Sequence, residues 1–124
     1  MFQYLVLRLD IYKKLEKHRG CVNTVSFNAD GNILVSGSDD KRVILWDWET
    51  GHAKLSFQSG HDNNVFQAKI MPYTDDRSLV TCAADGEVKF LFGHATFFLK
   101  FVRTNLENSS GLVINFLHES RPFE

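Results

Sequence analysis

Long runs of one charge are missing from this sequence, and the net charge is only -1 at neutral pH. A grip on nucleic acid or on anionic lipid needs a basic stripe, so neither is expected as a partner. The first ten residues lack a basic leader, and Arg8 and Asp10 interrupt their apolar run, which argues against both a signal peptide and a membrane span there. Cysteine is scarce. Cys21 and Cys82 lie 61 positions apart, each inside an apolar strand-like run and neither at metal-ligand spacing. Both are expected as buried free thiols of an intracellular protein, in nucleus or cytoplasm. No Gly-x-Ser-x-Gly elbow, Cys-x-x-Cys pair or His-x-x-x-His pair occurs, so a hydrolase triad, a metal site and a cofactor all lack support.

What is present is strand patterning. With 124 residues, 44% apolar and 23% charged, the chain has the composition of about one globular domain. Leu5, Leu7, Leu9 and Ile11 fall on one parity, which predicts a half-buried strand. Alternation resumes over Val22–Asn28. The stretch Ile33–Asp47 then reads as a tight hairpin, two apolar runs split by small and acidic residues. Its second run is apolar on both parities, Val43 and Leu45 against Ile44 and Trp46, and such a strand must be covered on both faces. Further strands are predicted over Ala53–Gln58, Val65–Met71, Ser78–Ala83 and Glu87–Phe92. Asp39-Asp40 and Asp75-Asp76 look like paired carboxylates. One of each pair is more simply a turn residue bonding its own backbone. Asn108-Ser109-Ser110 has the form of a glycosylation acceptor, which matters only in a secreted protein and is taken as chance.

The order of strands repeats. His61 stands 43 residues after His18, within the period of about 40 to 45 residues of WD-type propeller repeats. Each His precedes an alternating strand, a turn, a strand of small residues and an Asp, and the first unit ends in Trp46-Asp47. The chain therefore resembles WD-repeat proteins. That resemblance implies an all-β fold, a partial β-propeller of about two four-stranded blades. The expected division is 1–14 as an outer or extra strand, 15–58 as the first repeat, 59–92 as an incomplete second repeat, and 93–124 as a Phe-rich tail of unassigned structure. The resemblance also implies a hydrogen-bonded structural tetrad of His18, Ser36, Asp40 and Trp46. In the second unit His61, Thr81 and Asp85 match, but Leu91 stands where the Trp would be, so that network is expected to be partial. A buried Asp is tolerable only when its lone pairs are filled, and imidazole, hydroxyl and indole groups supply the donors.

A narrower resemblance rests on Gly20–Val25, Ser36–Asp40, Leu45–Trp48, Ser59–His61 and Asn64–Pro72. These runs look like the WD-repeat substrate receptors of cullin-4 RING ubiquitin ligases, the eighth cullin-4-associated factor in a plant-like version above all, in truncated form. The implied function is a non-catalytic protein-interaction module. Its implied partners are the ligase's adaptor subunit and the protein to be ubiquitinated. The family's docking box places the adaptor contact at Trp46, Asp47 and Trp48, with Glu49 where that box carries an Arg. The alternatives are an inert truncated product and a WD-repeat scaffold with no ubiquitin role. A closed propeller needs about four to eight blades, so the isolated chain is expected to self-associate through uncovered faces.

Overall fold

The structure, a computed structural model, describes residues 2–92 and 100–103. Its strands form two four-stranded antiparallel sheets, each ordered as in the sequence. The first holds β1 (Val22–Phe27), β2 (Ile33–Ser38), β3 (Arg42–Asp47) and β4 (His52–Gln58). The second holds β5 (Val65–Ile70), β6 (Ser78–Ala83), β7 (Glu87–Phe92) and β8 (Lys100–Arg103). A short helix, α1 (Phe2–Leu7), precedes them. The architecture is all-β and consistent with two blades of a propeller.

The apolar core lies between the sheets. Ile33, Val35 and Val43 of the first meet Val65, Ala68, Ile70 and Leu79 of the second, with Leu45, Phe57 and Leu91 packed around them. Val43 and Leu45 thus face the second sheet, while Ile44 and Trp46 point the other way and are also buried, as a two-faced strand requires. Glycine permits the closest approach. A Cβ on Gly37 would lie 2.7 Å from Val65 Cγ1 and 2.9 Å from Thr24 Cγ2, so β2 reaches β5 only because that atom is missing.

Polar side chains join the two innermost strands beside this core. Asn23 Nδ2 donates to the Val65 carbonyl at 3.1 Å, and Ser26 Oγ donates to that of Ala68 at 2.6 Å. The Thr24 hydroxyl reaches Gln67 Oε1 at 3.4 Å. Because these bonds run between strands of different sheets, they fix the register of one unit on the next.

Three expectations are corrected. Leu5–Ile11 is not a strand: residues 2–7 are helical, and Leu5, Leu7, Leu9 and Ile11 are 62–83% exposed. A strand must find a partner for its backbone, whereas a helical turn closes its bonds locally, as Arg8 and Leu9 do on the carbonyls of Leu5 and Val6. Cys21 is exposed, since it precedes β1 rather than lying within it, and only Cys82 is buried. The last strand of the second sheet comes from 93–124, the tail left without an assigned structure, with Glu87 opposite Arg103 and Phe90 opposite Lys100. The acceptor-like Asn108–Ser110 lies outside the described residues.

Candidate functional site

Each sheet carries a histidine network built on the turn between its second and third strands. After β2 the chain turns through Asp39, Asp40 and Lys41. Asp40 Oδ1 accepts the amide of Arg42 at 2.9 Å, and Ser38 Oγ accepts that of Asp40 at 3.2 Å. The second turn repeats this, with Asp85 Oδ1 accepting the Glu87 amide at 3.0 Å. Both turns need a residue with positive φ. The second uses Gly86 (φ 77°), while the first forces Lys41 to φ 66°.

The remaining carboxylate oxygen faces the histidine. His18 Nδ1 lies 2.9 Å from Asp40 Oδ2, which also accepts the Arg19 amide at 2.9 Å. His18 Nε2 is 2.7 Å from Ser36 Oγ, and the Trp46 indole N–H donates to that oxygen at 2.8 Å. An ionised carboxylate can only accept, so the Nδ1 proton belongs to this bond and Nε2 is the acceptor in the neutral ring. The network therefore runs one way: indole N–H to hydroxyl oxygen, hydroxyl to imidazole, imidazole N–H to carboxylate. All four residues named from the repeat pattern meet.

In the second unit His61 Nδ1 lies 3.0 Å from Asp85 Oδ2, His61 Nε2 lies 2.8 Å from Thr81 Oγ1, and the Asp62 amide donates to Asp85 at 2.9 Å. The indole is missing. Leu91, cross-strand from Leu79 as Trp46 is from Leu34, packs into the core instead. Lys89 carries no signal in the repeat pattern beyond being a charge amid Val88, Phe90 and Leu91. It sits opposite Thr81, where the first sheet has Ile44 opposite Ser36, and is 3% exposed. Its ammonium group donates to the Gly60 carbonyl and lies 3.7 Å from the Glu87 carboxylate. A buried cation thus anchors the loop that leads into His61.

Electrostatics follow from these contacts. Burial pushes the carboxyl of Asp40 up, but the amides of Arg19 and Arg42 and the imidazole of His18 outweigh it and hold it below the ordinary carboxylate range. Asp85 is lowered in the same way, burial being overcome by the amides of Glu87 and Asp62 and by His61. Burial pulls His61 below the usual imidazole value, with Lys89 adding to that pull, and Asp85 restores only part of the loss. Burial also pushes the Cys82 thiol up to about 11.

His61, Asp85 and Glu87 bring donor atoms within 4.8 Å of one another, a grouping a cation would accept. Both His61 nitrogens are already bonded, and Glu87 pairs with Lys89, so these groups serve one another first. Of the other carboxylate pairs, Asp40 bonds backbone two residues on, as a turn residue should. Asp76 instead accepts from Asn28 Nδ2 at 3.1 Å and so links the long turn of the second unit to the first.

The residues expected to dock a partner divide by burial. Trp46 is 3% exposed with its indole spent on Ser36. Asp47 accepts the amides of Glu49 at 3.2 Å and Thr50 at 3.4 Å, which shapes the turn after β3. Trp48 donates to the Gly31 carbonyl at 2.8 Å and meets Tyr12 and Phe27 edge to face, with centroids 6.0 and 6.4 Å away. Glu49 is exposed.

Comparison with known families agrees with this geometry. The family model "WD domain, G-beta repeat" matches residues 10–47. Protein ALTERED SEED GERMINATION 2 of Arabidopsis thaliana is 41% identical over 85 residues, 68% of this chain and 11% of that protein. WD and tetratricopeptide repeats protein 1 of Homo sapiens is 42% identical over 83 residues, covering 67% of this chain and 12% of its own. DDB1- and CUL4-associated factor 6 of Mus musculus is 37% identical over 83 residues, 67% of this chain and 10% of that protein. The chain thus spans about a tenth of the length of these curated relatives. With the repeat matched in sequence over residues 10–47 and its histidine network formed in the structure, the chain carries a WD40 repeat.

Proposed function

We infer that this chain is part of a non-catalytic substrate receptor acting with the adaptor subunit of a cullin-4 RING ubiquitin ligase. The observation that carries this reading is its 37% identity, over 83 residues, to a DDB1- and CUL4-associated factor. Within such receptors the runs Ser59–His61 and Asn64–Pro72 favour the eighth-factor subgroup. The networks support a binding role over catalysis. Ser36 is 4% exposed beneath Trp46, and His18 and His61 have both ring nitrogens occupied, so neither histidine network presents a free nucleophile or base. The adaptor contact falls to the partly exposed Asp47 and Trp48, with buried Trp46 behind them as support. The same reading puts the protein in nucleus or cytoplasm.

Co-precipitation of the tagged chain with the DDB1 adaptor and cullin-4 tests this. Retention that weakens on Trp48→Ala supports the reading. Absence of both partners, with the fold intact by circular dichroism, overturns it. It would then favour the second reading, a WD-repeat scaffold without a ubiquitin role, to which the exposed acidic Glu49 at the docking box already lends weight.

A further inference from the structure

A concave groove of about 490 Å³ opens beside the first histidine network, lined by Lys17, Arg19, Asp40, Arg42 and Gln58. Three of these side chains are cationic. The one carboxylate is already committed, with Asp40 accepting from His18 and from the amides of Arg19 and Arg42. Among the described residues none of the three cations forms an ion pair. Arg42 is held in place, since its Nε donates to Ser56 Oγ at 3.2 Å, which leaves the outer guanidinium nitrogens for a ligand. The groove therefore carries positive potential in a chain whose net charge is -1.

We propose that this groove docks an extended acidic peptide of a partner protein, its carboxylates met by Lys17, Arg19 and Arg42 and its backbone by Gln58 and the neighbouring edge. Two features select a peptide over a lipid surface or a nucleic acid. The cations are confined to one short groove rather than spread along a stripe, which is what a flat or long polyanion needs. Gln58 ends β4, the outer strand of its sheet, which pairs only with β3 among the described residues and so offers unpaired main-chain groups to an extended chain. The histidine network supplies the rigid floor, because Asp40 fixes the backbone of both Arg19 and Arg42 through their amides. The proposal rests on the protein-interaction reading but not on the cullin-4 link, so adaptor binding and peptide binding can fail separately.

Fluorescence anisotropy of a fluorescein-labelled tetraglutamate peptide, against a tetraglutamine control, tests it on the full chain. Tetraglutamate should bind and the control should not, with affinity falling as salt is raised. Lys17→Gln, Arg19→Gln and Arg42→Gln should each weaken binding about two- to fivefold, the range for solvent-facing ion pairs, and the triple variant by about tenfold or more. Lys17 and Arg19 are exposed and Arg19 holds Asp40 by its backbone, so these two variants keep the fold even where Arg42→Gln does not. Equal binding of the two peptides, no binding of either, or affinity indifferent to the substitutions would overturn the proposal. So would retention on phosphatidylserine vesicles without peptide binding.

Discussion

Replacing Trp46 by Phe separates the hydrogen bond of the first network from the bulk of the ring. Trp46 is 3% exposed and its indole N–H donates to Ser36 Oγ at 2.8 Å, with His18 on the far side of the same oxygen. Losing that bond should cost about 0.5–1.5 kcal/mol, and more if Ser36 is left short of a donor. Shrinking the ring adds a cavity term, so Trp46→Phe should destabilise by about 2 kcal/mol and Trp46→Ala by about 3–5 kcal/mol. The decisive quantity is the coupling between Trp46→Phe and Ser36→Ala in a double-mutant cycle, expected at about 0.5–3 kcal/mol for residues in one network. Urea titration followed by the fluorescence of Trp48, which every variant keeps, measures it. Strictly additive effects would mean that indole and hydroxyl do not meet in solution, and the one-way network would be wrong.

Other consequences are open to direct measurement. Lys41→Gly should stabilise by about 0.5–1 kcal/mol, since glycine occupies positive φ without the steric cost that Lys41 bears at 66°; a lower urea midpoint would contradict it. Stability should fall on acidification in two windows. The folded-state value of His61 is lowered, so its contribution is present above the unfolded imidazole value of about 6.5 and is lost as pH falls below it. Asp40 and Asp85 are lowered too, and theirs disappears as pH falls below the unfolded carboxylate value of about 4; urea midpoints unchanged from pH 7.5 to 3 would refute both. Cys21 should react with a maleimide in the native protein while buried Cys82, its thiol pushed up to about 11, reacts only after unfolding, as mass spectrometry will show. Val22, Val25 and Phe27 on β1 are 52–64% exposed, so the isolated chain should self-associate at micromolar concentration; a sharp monomer in sedimentation would contradict that.

The sequence by itself determined the elements whose signal is local. Ile33–Asp47 was legible as a hairpin because apolar runs and turn residues adjoin within it, and β6 and β7 begin and end where alternation and turn chemistry put them. The tetrad of His18, Ser36, Asp40 and Trp46 was legible through the resemblance to WD repeats, whose His-to-Asp spacing recurs here as 22 and then 24 residues. Only tertiary structure decided whether a run with strand parity found a partner. Leu5–Ile11 alternates as well as Val65–Ile70 does, yet among the described residues no strand takes its backbone, and its first residues belong to the helix Phe2–Leu7. Tertiary structure alone also placed Lys89, a poor strand-core residue by composition, against the Gly60 carbonyl and Glu87. The same holds for the groove at Lys17, Arg19 and Arg42, whose cations are spread over 26 positions of a nearly neutral chain. Charge is read from sequence one residue at a time, but potential depends on distance, and the turn at Asp40 sets those distances.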